Sequence, residues 1–102
     1  MNQVHLMNQM RKMQQEMTKA QEELTNTVVT GTAAGEAVKV DMTCDHRVKS
    51  ISIAPSAIDP EDAETLEDLL VVAVNDALTK VQETSQSRME RITGGLRIPG
   101  MP

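Results

Sequence analysis

Three groups of residues in this 102-residue chain are of types that could do chemistry. The first is the run Cys44-Asp45-His46. Zinc takes four ligands, usually as two separated pairs, and here there is one cluster, with Cys44 alternating onto an apolar strand face. A Cys–His nucleophilic pair would need an orienting third group and oxyanion donors, and nothing marks either. His5 stands alone. The second group is the carboxylates Glu61, Asp62, Glu64, Glu67 and Asp68. They crowd the first turns of an expected helix, where the positive end of its dipole stabilises them. No apolar pocket is evident that would raise a pKa for acid–base work. Gly31 and Gly35 lack the Lys-Ser/Thr and the following helix of a phosphate loop. The reading is no enzyme, no metal, no cofactor and no small-molecule substrate. The third group is basic: Arg11, Lys12 and Lys19 near one end of the chain, Arg88, Arg91 and Arg97 near the other.

Charge distribution makes the third group informative. The chain carries 15 acidic and 10 basic residues, a formal charge of -5. Residues 55–83 hold one cation and eight carboxylates, whereas residues 84–102 hold three cations and one carboxylate. An acidic whole does not attract phosphate, so any contact with nucleic acid must be local. Phe, Trp and Tyr are absent, which excludes base stacking on aromatic rings. The six cations are either ordinary solvated helix residues or a set that touches phosphates. One Cys makes no internal disulfide, and a reducing cytosol is the expected setting. No run of about 18 apolar residues is present, and the opening MNQVHLMNQMRKMQQEM has no signal-peptide core, so no membrane association is expected.

The elements that must position these residues follow from periodicity. Leu6, Met10, Met13, Met17, Ala20 and Leu24 recur in alternating steps of four and three, a narrow heptad seam, and the spacing predicts a helix over 3–24. Residues 25–54 read as a three-stranded antiparallel meander. TNTVVT is β-branched, GTAAG over 31–35 reads as a turn, and Val38, Val40, Met42 and Cys44 alternate with polar residues. Arg47 to Ala54 gives the third strand, with Ile51 and Ile53 toward the core and Val48 out of phase, which implies a bulge or an apolar spot on the open face. Asp59-Pro60 signals a helix start, and the pattern predicts a second helix over 59–93. At about 51 Å it overshoots strands of about 26 Å. Val71 and Val72 fall outside its core stripe, and Asn75 and Asp76 interrupt it, either as a buried register-fixing pair or as exposed residues. Residues 94–102, GGLRIPGMP, read as a mobile tail. One α+β domain spans 1–102. Its core is thin, and hydrophobic residues are only 39% of the chain. A partner copy would supply the missing cover through Met10, Met13, Met17, Leu24, Val71 and Val72.

From end to end the chain resembles the YbaB/EbfC family of small bacterial nucleoid-associated proteins. The likeness runs through MNQMRKMQQEMTKAQEEL, VTGTAAGEAVKVDMTCDHRVKSISIAPSAI, EDAETLEDLLVVAVNDALTKVQE and GGLRIPGMP. Its most specific part is the set Glu67, Asp68, Leu69, Leu70, Ala73, Asn75, Asp76 and Ala77. The resemblance implies an α-β-β-β-α fold, a homodimer whose paired helices protrude like tweezers, binding of double-stranded DNA in the cytoplasm and nucleoid, and effects on nucleoid organisation and gene expression. The expected contacts are cationic, to the phosphate backbone, with weak sequence preference. The alternative is a protein-interaction module that uses the Met-rich first helix and the acidic second helix.

Overall fold

A computed structural model describes residues 3–93. The elements are α1 (Gln3–Thr25), β1 (Val28–Ala33), β2 (Val38–Thr43), β3 (Arg47–Ile53), a single 3-10 turn (Pro55–Ala57) and α2 (Ala63–Thr93). The sheet is an antiparallel meander in the order β1-β2-β3. This is the α+β, α-β-β-β-α architecture expected from the sequence. The residues of the expected tail, 94–102, lie outside the described range.

The second helix begins later than Asp59-Pro60 suggested. Asp59 closes a turn, accepting the Glu61 N–H at 3.0 Å, and the N-cap is Asp62. The Asp62 carboxylate accepts the Thr65 N–H at 3.3 Å and the Thr65 hydroxyl at 2.6 Å, so it satisfies a free donor of the first helical turn.

β2 is the centre of the sheet and alternates strictly between buried and half-buried residues. Val38, Val40, Met42 and Cys44 form the core with Ala73, Ala77 and Val81 of α2 and Leu24 of α1. Gly31 is not a turn residue, contrary to the reading of GTAAG; the turn is Ala34–Ala37, with Ala34 and Gly35 both at positive φ. Gly31 lies within β1, opposite Val40, and its missing side chain is what admits α2. A Cβ built there would collide with the carbonyl oxygen of Ala73 and the backbone nitrogen of Ala77. Helix and strand therefore touch backbone to backbone, and the small Ala73 and Ala77 are the helix residues that allow it.

Alongside this contact, α2 also grips the outer edge of β1. The Asp76 carboxylate accepts the Thr32 N–H at 2.9 Å and pairs with Lys80 at 3.1 Å, while Lys80 donates to the Thr30 carbonyl at 2.7 Å. Two backbone groups of an edge strand are thereby occupied by side chains. Asp76 is thus the register-fixing residue of the pair considered above, and Asn75 is exposed.

The helix lies over β1 and β2 and scarcely reaches β3. The irregularity expected at Val48 is a bulge: Asp41 pairs with Ser50 and Met42 with Val48, leaving Lys49 as the extra residue. It returns Val48 to the helix side of the sheet. Ile51, expected in the core, does face that side but is 50% exposed because no helix covers β3. The chain exposes 7797 Å², against about 5,700 Å² for a compact monomer of this mass.

Two outcomes follow from the α2–β1 contact. Gly31→Ala should cost about 3 kcal/mol, at the upper end of overpacking penalties, because backbone cannot yield as a side chain would; chemical denaturation measures this. The Asp76 carboxyl is held below the usual carboxylate range, first by the Thr32 N–H and then by Lys80. A group lowered in the folded state stabilises above its unfolded pKa of about 3.9 and loses that contribution as pH falls through the folded value. Asp76→Asn should therefore lower the thermal midpoint at neutral pH, and the gap to wild type should close below about pH 4.

Candidate nucleic-acid interface

Five of the six expected cations, Arg11, Lys12, Lys19, Arg88 and Arg91, distribute over an arm. Beyond Val81, α2 leaves the sheet, and α1 packs against this overhang from its own chain. Ala20 and Leu24 are the buried residues of α1. Arg88 of α2 is ion-paired with Glu23 of α1, and further out Arg91 and Ile92 share a groove with Glu16, Lys19 and Ala20. The two helices thus run in opposite directions, with residue 23 beside 88 and residue 16 near 92. Gln3–Gln15 continues past this junction for about 20 Å.

This placement separates the cations. Lys19 and Arg91 flank the junction, and Arg11 and Lys12 lie on the projecting tip, all four exposed. Among the described residues these four make no ion pair. Arg88 is half-buried and its charge is offset by Glu23, so it belongs first to the helix–helix junction. Arg97 lies outside the described residues. Glu61, Asp62, Glu64, Glu67 and Asp68 sit at or just before the opposite end of α2, about 30 Å or more from Arg88. The acidic and basic ends of the molecule are therefore set apart along its long axis.

The expected interface residues divide differently. Leu24 is buried in the subunit's own core, where α1 meets α2, with 8% of its surface exposed. Met13 and Met17 are half-buried, whereas Met10, Val71 and Val72 are exposed. Reading by periodicity missed a second apolar band. Val71, Val74 and Leu78, at steps of three and four, run along the flank of α2 opposite Asp76 and Lys80, toward the side where Val48 and Ile51 of β3 are uncovered. The out-of-phase Val48 was the signal that could have pointed to it.

The other chemistry-bearing residues do not assemble. Cys44 is buried, and its thiol is pushed up, first by burial and then by the Asp45 charge, so it stays protonated and unreactive at neutral pH. His46 is an exposed turn residue at φ 67°. Among the described residues no three of His, Cys, Asp and Glu come together as metal ligands, and no helix is long and apolar enough to cross a membrane.

A model of the YbaB/EbfC DNA-binding family matches residues 1–96. The chain belongs to that family. Proteins named nucleoid-associated protein resemble it over nearly their whole length. One from Chloroflexus aurantiacus is 50% identical, covering 95% of this chain and 97% of its own. One from Pelotomaculum thermopropionicum is 48% identical, covering 98% and 95%. The fold is shared with the uncharacterized protein HP0035 from Helicobacter pylori, whose crystal structure superposes with a TM-score of 0.76 at 23% identity, covering 92% of this chain and 99% of that one.

Proposed function

We propose that this YbaB/EbfC family member is a nucleoid-associated, DNA-binding homodimer of the bacterial cytoplasm, without enzymatic activity. The observation that carries the reading is the set Arg11, Lys12, Lys19 and Arg91: four cations without carboxylate partners among the described residues, on an arm held away from the acidic start of α2. Contacts of this kind go to phosphates and carry no base information, so sequence preference is weak. With no aromatic residue to stack on bases, affinity comes from counterion release. Coating of DNA by such a protein alters nucleoid organisation and, through it, gene expression.

The second copy covers the band of Val48, Ile51, Val71 and Leu78. These residues are 37–59% exposed in one subunit, and a second copy seated on them removes that apolar surface from water. Val71 is retained from the expected interface. Two arms on a common core then present their cations to one duplex.

Affinity for double-stranded DNA should fall with salt, with a log–log slope of about -0.9 per phosphate neutralised. Anisotropy titrations at two ionic strengths measure it, and absence of binding at low salt removes the proposal. Arg11→Glu with Lys12→Glu should weaken binding to all sequences alike. Sedimentation should give a dimer at micromolar concentration, and Ile51→Lys with Val71→Glu should shift it toward an 11.2 kDa species; an unchanged dimer would place the interface elsewhere.

A further inference from the structure

The projecting tip of α1 has a composition unlike the rest of the chain. Residues 3–15 contain no carboxylate, although the whole carries 15. They hold Arg11 and Lys12, five side-chain amides and a face of large apolar residues. Leu6, Met7 and Met10 are 49%, 59% and 64% exposed. Met7, Met10, Arg11 and Gln14 line one shallow depression on this face. Such residues at the end of an arm, beyond the reach of the subunit's own sheet, need an apolar surface supplied from outside. Pairing with the tip of a second copy would bring Arg11 and Lys12 together with their counterparts, and no carboxylate at residues 3–15 would offset the repulsion. A polyanion with an apolar interior meets both requirements, and duplex DNA has phosphates outside and base faces within.

We propose that the tip is a wedge: Met7 and Met10 insert between adjacent base pairs while Arg11 and Lys12 hold flanking phosphates. The inference rests on the DNA-binding reading above and adds to it the state of the DNA that is bound. Methionine is unbranched, flexible and polarizable, which suits contact with a base face, and it is among the residues that act as wedges at a widened minor groove. Met7 and Met10 are one helical turn apart, about 4.5 Å along the axis, close enough to enter at a single step. Unstacking costs least at pyrimidine–purine steps and at mismatches, so the preferred ligand is a deformable duplex. Preference among sequences then arises from flexibility and not from hydrogen bonds to base edges.

The test uses the full chain and two duplexes of equal length, one with a central TA step carrying 2-aminopurine, the other GC-rich. Anisotropy reads affinity, end-to-end energy transfer reads bending, and 2-aminopurine emission reads unstacking. Wild type should bind the TA duplex more tightly, shorten its end-to-end distance and brighten the probe. Met7→Ala with Met10→Ala should lose bending and brightening yet keep affinity within about threefold, because phosphate contacts carry most of the binding. Met7→Leu with Met10→Leu should retain all three signals. Arg11→Gln with Lys12→Gln should lower affinity for both duplexes. Circular dichroism should be the same for all variants, since the altered side chains are exposed. Binding without bending or unstacking by wild type, or full bending by the alanine variant, overturns the wedge and leaves the DNA reading intact. Failure to bind either duplex at low salt overturns both. Capture by phosphatidylglycerol vesicles that depends on Met7 and Met10, with no unstacking of DNA, assigns the tip to a lipid surface and also overturns the wedge.

Discussion

The direct contact between the backbones of β1 and α2 at Gly31 sets the rest of the molecule. Because Ala73 and Ala77 rest on a strand position without a side chain, the helix axis comes closer to the sheet than ordinary side chains permit. That closeness lets Asp76 and Lys80 reach the outer edge of β1, and the two bonds there hold the helix over β1 and β2. A helix held to one side of a three-stranded sheet leaves the third strand open. It also fixes where the overhang emerges and therefore where α1 packs. The open β3 flank and the projecting arm are thus two results of one steric fact.

Much of this was legible in the residues. The alternation from Val38 to Cys44 defined the central strand, and the seam from Leu6 to Leu24 defined the first helix. The cations were visible as two groups at the chain ends, and the antiparallel packing of α1 on α2 gathers those of α1 and α2 on one arm. Other features depended on context that periodicity does not encode. Gly31 looks like a turn glycine because turn and close-approach glycines share the same side chain, and only the facing Ala73 and Ala77 distinguish them. Asp59-Pro60 has the chemistry of a helix start, but Asp62 competes with it and has Thr65 at the right spacing to win. Arg88 and Glu23 are 65 positions apart, so their pairing emerges only once the two helices are packed.

The arm carries two kinds of surface that soluble proteins usually keep apart. Arg11, Lys12, Lys19 and Arg91 make no ion pair among the described residues, and the thioethers of Met7 and Met10 are exposed. On the body of the protein either would be a liability, the first through repulsion and the second through aggregation. On a narrow helix standing clear of an acidic body, they can both enter the same partner. The carboxylates at the start of α2 repel polyanions, and the arm stands at the other end of that helix.

The hold of Asp76 and Lys80 on β1 also has a topological result. A sheet grows by adding strands at free edges; here two of the groups on the β1 edge are already occupied, whereas β3 is exposed among the described residues. Continued growth of the sheet through both edges of a subunit is thereby opposed at Thr30 and Thr32, which is a guard against fibre formation.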